Sequence, residues 1–203
     1  MIKIAIDGPS GAGKSTLART LADRLQFIYV DTGALYRAIG LYVYRHNVDP
    51  HNTDAVTSLL GDISLELQHI DRQQHVLLNG EDVSTEIRTH VISSYASAVS
   101  AIPAVRNFLL ELQRGMATRQ NVIMDGRDIG TVIFPDAQVK LFLTASPETR
   151  AKRRYQELQE KGQAIPYEQI LNDIIERDRN DSTRTVAPAV QAEDATLLDN
   201  SDM

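Results

Sequence analysis

One segment near the start of the chain limits the fold more than any other: Gly8-Pro9-Ser10-Gly11-Ala12-Gly13-Lys14-Ser15. It matches the phosphate-binding pattern G-x-x-x-x-G-K-[ST], and it stands between an apolar run, residues 2–7, and a helical pattern over residues 14–25. Glycines let such a loop take positive φ and bring its N–H groups close to phosphate oxygens, and the helix N-terminus adds a positive dipole end. The sequence therefore predicts a nucleoside-triphosphate site over Gly8–Thr16, in which Lys14 reaches the β- and γ-phosphates and Ser15 binds Mg²⁺.

Apolar runs that end near a polar residue recur at residues 27–31, 121–125, 139–145 and 196–199. Helical patterns lie between them, such as Leu17, Leu21 and Leu25, which recur every four residues. Strands that alternate with helices indicate an α/β fold, a parallel sheet with helices on both faces.

Residues 63–90 depart from this alternation of strands and helices. Polar and apolar side chains alternate at 63–67 and over part of 75–80. This period of two predicts a small antiparallel insertion, with Asn79-Gly80 as a tight turn.

Composition excludes several classes of protein. A length of 203 residues predicts one domain with room for an inserted lobe, and no apolar run approaches the ~18 residues needed to cross a bilayer. The absence of Cys excludes a disulfide scaffold and a thiol nucleophile. The net charge of −6 argues against a protein that coats nucleic acid, yet most of the basic residues are Arg, whose planar fork suits phosphate. We therefore expect no nucleic-acid partner, no membrane partner and no targeting segment, but a local anion site.

A second anion site is expected where polar residues follow the other strands. Arg37 lies about one turn into a helix that begins near Gly33, and Asp125-Gly126-Arg127-Asp128 follows the third strand. Ligands of parallel α/β sheets bind at the carboxyl ends of the strands, which favours both segments. An Asn-Lys-x-Asp guanine motif is missing. A kinase for a small acceptor is therefore favoured over an NTP-dependent switch or binding protein, which stays as the alternative.

Five segments together resemble the bacterial cytidylate kinases: residues 8–15, 31–37, 125–136, 150–154 and 177–184. They follow one another over almost the whole chain, and Gly-Arg-Asp-Ile-Gly-Thr-Val within 125–136 is far more specific than the phosphate loop. The resemblance implies a P-loop kinase fold with a five-stranded parallel sheet flanked by helices. It implies a single domain over 1–203, with an inserted monophosphate-binding lobe at about 63–96 and a helical lid at about 147–166. Family members usually continue with one more helix after the strand at 196–199.

The reaction implied is the phosphorylation of CMP or dCMP by ATP with Mg²⁺, giving ADP and CDP or dCDP. The alternative acceptor is another small molecule such as UMP. We expect a cytoplasmic monomer whose partners are these small nucleotides.

The resemblance also implies roles for single residues. The residues expected to bind the monophosphate are Thr32, Arg37 and Arg127, and those expected to recognise cytosine are Ser97, Arg106 and Asp128. Arg177 and Asp181 are expected to approach the sugar, and Arg184 the phosphates. The lid arginines that close over ATP are Arg150, Arg153 and Arg154. The candidates for catalysis among all of these are Lys14, Arg127, Arg150, Arg153 and Arg184.

The chemistry of the acceptor explains these residue types. A phosphate monoester oxygen is already ionised near neutral pH, since its second pKa is about 6, so no Ser–His pair is needed. Cytosine carries an exocyclic amine where uracil carries an acceptor, and the Asp128 carboxylate can accept from that amine. A scaffold carboxylate paired with an arginine is the alternative for Asp128. Asp125 is expected to serve Mg²⁺, directly or through water, unless it only caps a turn.

Overall fold

The computed structural model describes residues 1–70, 73–118, 120–160 and 162–202. The chain divides into two compact units. The first unit comprises Met1 and residues 28–122, and the second comprises residues 2–27 and 123–203. Within the described residues, none of the helices combines the length and the apolar character needed to cross a membrane.

The helices and strands follow in chain order: β1 (Lys3–Asp7), α1 (Lys14–Leu25), β2 (Ile28–Asp31), α2 (Thr32–Arg45), α3 (Thr53–Leu59), β3 (Leu65–Ile70), β4 (Gln73–Leu78), β5 (Glu81–Asp82), α4 (His90–Val99), α5 (Pro103–Gly115), β6 (Val122–Asp125), β7 (Val139–Thr144), α6 (Pro147–Glu160), α7 (Tyr167–Thr183) and β8 (Thr196–Asp199). A π-helical turn at Ile129–Ile133 follows β6. Each strand predicted for the parallel sheet is present, with ends that differ from the sequence pattern by one residue at most.

The larger sheet has five strands in the order β2-β6-β1-β7-β8. In the second unit β1 and β7 pair in parallel, with Ile4 opposite Val139, and β7 and β8 do the same, with Phe142 opposite Leu197. The last four residues of β1 are buried, as expected for a strand covered on both faces. The prediction of an α/β fold with a five-stranded parallel sheet is confirmed.

Helix α1 begins and ends where the sequence pattern places it, but its leucines are not its buried face. Ala18 and Ala22 are buried, whereas Leu25 is 46% exposed. The periodicity of the leucines therefore located the helix correctly, although the alanines are its most buried apolar residues.

The first unit contains the predicted antiparallel insertion as a three-stranded sheet, β3-β4-β5. Leu65 pairs with Leu78, and β4 turns into β5 through Asn79 and Gly80, whose φ angles of 50° and 84° are both positive. Two successive positive φ angles are the mark of the hairpin turn that Asn-Gly favours, so the insertion and its turn are confirmed. That this sheet belongs to a monophosphate-binding lobe stays a prediction.

Helices α6 and α7 of the second unit pack together over a small core made of Ala151, Leu158, Ile170 and Ile174. Ser146 caps the start of α6, because its hydroxyl accepts a hydrogen bond from the Thr149 N–H at 3.2 Å. Lys161, within the expected lid, lies outside the described residues. That the segment acts as a lid stays a prediction.

Candidate active site

The loop between β1 and α1 has the backbone of a phosphate cradle. Gly8, Gly11 and Gly13 have φ angles of 141°, 76° and 88°. At Gly8 a Cβ atom would lie 1.9 Å from the carbonyl oxygen of Leu143, so no other residue fits without displacing β7. Gly13 is the N-cap of α1, which leaves the first N–H groups of that helix available to an anion.

Lys14 lies at the start of α1 with only 6% of its surface exposed, and its Nζ donates to the carbonyl oxygen of Pro9 at 2.7 Å. Burial lowers the pKa of the Lys14 ammonium to about 7, and Arg127 adds to the shift, while Asp125 and Asp7 oppose it. A desolvated ammonium beside other cations gains strongly from a nearby polyanion. The environment of Lys14 therefore suits a bound triphosphate.

Ser15 and Asp125 form the pair of oxygen ligands expected for Mg²⁺. The Ser15 hydroxyl donates to Oδ2 of Asp125 at 2.9 Å, and the carboxylate, at the end of β6, is 5% exposed. Mg²⁺ prefers such hard oxygens, and it is usually held by one or two carboxylates together with phosphate oxygens. The two side chains thus fit a nucleotide-bound Mg²⁺.

Asp7, the last residue of β1, makes hydrogen bonds to the backbone of the segment that follows β6. Its carboxylate accepts the N–H of Ile129 at 2.8 Å and of Gly130 at 2.7 Å, which are the first residues of the π-helical turn. Burial raises the pKa of the Asp7 carboxyl to about 6 and Asp128 adds to the shift, although the two N–H donors and Lys14 oppose it. Asp7 therefore holds the backbone next to Asp128, a role that the sequence analysis missed. The signal was its place at the carboxyl end of a buried strand.

The raised pKa of Asp7 predicts a pH dependence of stability. The folded protein keeps this proton up to about pH 6, whereas the unfolded chain loses it near 3.8. The Asp7 contribution to the free energy of unfolding is fully present below pH 3.8 and is lost as pH rises through about 6, a loss of about 3 kcal/mol. Urea unfolding of wild type and Asp7→Asn between pH 4 and 7 should show a difference that changes by about 2 kcal/mol, because part of the loss has already occurred at pH 4.

The control for this measurement is Asp173→Asn, at an exposed position on α7, which should leave the pH dependence unchanged. A wild-type and Asp7→Asn difference that stays constant with pH would contradict the raised pKa.

Four predicted residues form one cluster of opposite charges in the second unit. Arg127 Nε donates to Asp181 at 3.0 Å, and Arg184 lies 3.8 Å from Asp181 and 3.6 Å from Asp128. Burial alone would raise the pKa of the Asp181 carboxyl, but Arg127, Arg177 and Arg184 outweigh it and hold that pKa below its ordinary value. The two carboxylates therefore hold Arg127 and Arg184 in place through ion pairs.

The arginines of α6 differ in their surroundings. Arg150 is 2% exposed, its NH1 donates to the carbonyl oxygen of Ser10 at 3.1 Å, and its NH2 pairs with Asp178 at 2.5 Å. This joins α6 and α7 to the phosphate loop. Arg154 instead pairs with Glu157 of its own helix at 2.8 Å.

Asn200, just after β8, links Arg153 to the phosphate loop. Its carbonyl oxygen accepts from Arg153 at 2.8 Å, and its side-chain amide donates to the carbonyl oxygen of Ala12 at 2.9 Å. The sequence analysis assigned no role to Asn200 or Asp178, and no local pattern singles them out. The roles of the three α6 arginines toward ATP stay predictions.

The first unit carries the remaining predicted residues in two groups. Arg37 pairs with Asp31 at 2.7 Å, next to the buried Thr32 at the start of α2, and Arg37 Nε has no hydrogen-bond partner among the described residues. An acceptor atom of a bound ligand would satisfy this buried donor.

The second group joins α4 to α5. Arg106 donates to the carbonyl oxygen of Ser100 at 3.2 Å, and the Ser100 hydroxyl donates to the backbone carbonyl oxygen of Ser97 at 2.8 Å. The Arg106 guanidinium also lies 5.5 Å from the centre of the Tyr36 ring. That Ser97 and Arg106 bind cytosine stays a prediction.

Comparison with known proteins gives a consistent result. The family model described as cytidylate kinase matches residues 4–203. The cytidylate kinase of Caldicellulosiruptor bescii is 48% identical over 202 residues, 100% of this chain and 89% of that protein. The cytidylate kinase of Caldanaerobacter subterraneus subsp. tengcongensis is 51% identical over 204 residues, 100% of this chain and 88% of that protein. A solved structure of an uncharacterized protein from Eubacterium ventriosum shares the fold, with a TM-score of 0.52 at 14% identity, covering 99% of this chain and 90% of that one.

Proposed function

Since the chain belongs to the cytidylate kinase family, we infer that it transfers the γ-phosphoryl group of ATP to CMP. CMP is inferred as the substrate because the whole chain matches cytidylate kinases at 48% and 51% sequence identity. The phosphate loop and its buried lysine agree with ATP as the donor. We further propose roles for single residues, a Mg²⁺ site and the use of dCMP as a second acceptor.

The acceptor is bound, we propose, by arginines that hold its phosphate and by a carboxylate that selects its base. Arg37 and Arg127, each paired with an aspartate, offer N–H groups to the phosphate. Arg106 donates to the acceptor edge of cytosine, and the buried carboxylate of Asp128 accepts from its exocyclic amine. The residues assigned to the acceptor are Thr32, Arg37, Ser97, Arg106, Arg127, Asp128, Arg177, Asp181 and Arg184.

The donor is bound by the loop and helix that open the second unit. The N–H groups of Gly8–Thr16 surround the phosphates, and Lys14 neutralises the β- and γ-phosphates. Ser15 and Asp125 would hold Mg²⁺, which would neutralise further charge on the phosphates. Arg150, Arg153 and Arg154 close over ATP, which excludes water that would otherwise hydrolyse it.

Catalysis then depends on position and charge rather than on a base. The attacking oxygen of CMP is already ionised at neutral pH, so no proton has to be removed from it. Lys14, Arg127 and Arg184 cancel the repulsion between the two polyanions and stabilise the charge on the moving phosphoryl group. Asp181 fixes the orientation of Arg127 and Arg184 through its ion pairs with both.

A coupled assay of ADP release tests the function directly. With ATP and Mg²⁺ fixed, CMP, dCMP, UMP, AMP and GMP are compared as acceptors by kcat/KM. We expect CMP and dCMP to exceed UMP, AMP and GMP, and ADP release without acceptor to be negligible. A higher kcat/KM for UMP or AMP would contradict the assignment, and ATP hydrolysis that no monophosphate changes would indicate a switch or binding protein.

A further inference from the structure

Two side chains of the hairpin formed by β3 and β4 make hydrogen bonds to the backbone along one edge of β2. β2 stands at the end of the strand order in the larger sheet, so one edge of it has no strand neighbour among the described residues. His69 and Gln74 are cross-strand partners in the hairpin. His69 Nε2 donates to the carbonyl oxygen of Tyr29 at 2.9 Å, and Gln74 binds the peptide groups of Asp31, two residues further along the same edge.

The contact of Gln74 with Asp31 imitates strand pairing. The side-chain oxygen of Gln74 accepts the N–H of Asp31 at 2.8 Å, and its amide nitrogen donates to the carbonyl oxygen of Asp31 at 3.2 Å. Both backbone polar groups of Asp31 on that edge are thus satisfied by one amide. The backbone of Asp31 is fixed at the point where β2 ends and α2 begins.

The Asp31 carboxylate connects the backbone held by Gln74 to the side chain of Arg37. One carboxylate oxygen of Asp31 accepts the N–H of Ala34 at 3.1 Å as the N-cap of α2, and the other accepts from Arg37 NH2 at 2.7 Å. The space between them is tight, because a Cβ atom at Gly33 would lie 3.1 Å from the carboxylate of Asp31 and 3.2 Å from Arg37 NH1. Gly33 therefore leaves room for the ion pair, and the pair ties the position of the Arg37 guanidinium to that of the Asp31 carboxylate.

We propose that Gln74 is a positioning residue for the acceptor: it holds the backbone of Asp31, and through the Asp31 carboxylate it orients Arg37 toward the phosphate of CMP. This inference rests on the proposed role of Arg37 in binding that phosphate. Gln74 itself touches neither nucleotide. Its contribution is to reduce the freedom that Arg37 would lose on binding CMP, so it acts on the affinity for the acceptor.

The test compares Gln74→Ala, Gln74→Met and Gln73→Ala by steady-state kinetics. Both Gln74 variants lose the amide, and Met keeps the length of the side chain. We expect each to raise KM for CMP about tenfold, with kcat and KM for ATP changing less than about twofold, since two hydrogen bonds are lost at one place. Gln73 is exposed and neighbours Gln74 on the same strand, so Gln73→Ala is the matched control and should behave as wild type. Thermal unfolding of every variant checks the fold.

A double-mutant cycle with Arg37→Ala separates this proposal from the proposed function. Arg37→Ala alone should raise KM for CMP more than Gln74→Ala does. In the Arg37→Ala background, Gln74→Ala should change KM for CMP little further, because Gln74 is proposed to affect CMP binding only through Arg37. A tenfold rise that persists without Arg37, or a Gln74→Met variant with wild-type KM, would overturn the positioning role. A wild-type KM for CMP in Arg37→Ala would instead refute the proposed role of Arg37, and the inference with it.

Discussion

Lys14→Met is expected to lower kcat for CMP phosphorylation by roughly 10²–10³-fold, the loss seen when one preorganised donor to a transition-state charge is removed. The ammonium is buried at the start of α1, directly after the phosphate loop, where the β- and γ-phosphates are proposed to bind. Met keeps the apolar stem and removes only the charge. Steady-state and single-turnover rates with saturating ATP and CMP measure the effect.

The fold should survive this substitution. A buried, desolvated charge contributes little net stability, so Lys14→Met should leave the unfolding temperature unchanged or raise it. Lys152→Ala, at an exposed position on α6, is the control and should keep full turnover. A near wild-type kcat in Lys14→Met would contradict the proposed role of the phosphate loop and its lysine in phosphoryl transfer.

Asp128→Ala is expected to reduce the preference for CMP over UMP, as a ratio of kcat/KM values, by about 100-fold or more. A site built to hydrogen-bond a substrate amine rejects the analogue that lacks it by factors of this size or larger, because its buried polar group is left unpaired. Asp128 is 4% exposed and lies at the start of the π-helical turn that Asp7 holds. Most of the change should come from weaker use of CMP, while KM for ATP stays nearly constant.

The ion pair between Asp128 and Arg184, at 3.6 Å, supplies the competing explanation. If Asp128 only holds Arg184 in place, Asp128→Ala should lower the rates with CMP and UMP equally and leave their ratio unchanged. Asp173→Ala, an exposed aspartate on α7, controls for the loss of one negative charge. The ratio of the two acceptors therefore distinguishes base selection from support of an arginine.

Much of the fold was predictable because its signals are local. The apolar runs that end at Asp7, Asp31 and Asp125 identified three strands of the parallel sheet, and Asn79-Gly80 identified the turn of the insertion. Burial across both faces of a parallel sheet leaves continuous apolar runs, which need no knowledge of the partner strand. The buried face of α1 was less predictable, because alanines mark a close approach only once the neighbouring element is known.

The candidate site divides in the same way. Ser15 was assigned to Mg²⁺ from the phosphate-loop motif and Asp125 from its place after a strand, and the structure brings the two side chains within 2.9 Å of each other. The residues that hold the functional side chains were missed. Asp178 supports Arg150, Asn200 supports Arg153 and the loop, and Gln74 supports Asp31. Polar residues of this kind carry no periodicity, and in sequence they resemble any surface position.

The sequence by itself determined the phosphate loop, the alternation of strands and helices, and the family, because each depends on residue types at fixed short spacings. Only the tertiary structure decided how the loop and its arginines are held. Asp7 reaches Ile129 across 122 positions, Asn200 reaches Ala12 across 188, and Gln74 reaches Asp31 across 43. A hydrogen bond requires its two atoms to lie about 3 Å apart, and that distance exists only once the strands between them have taken their places in the sheets.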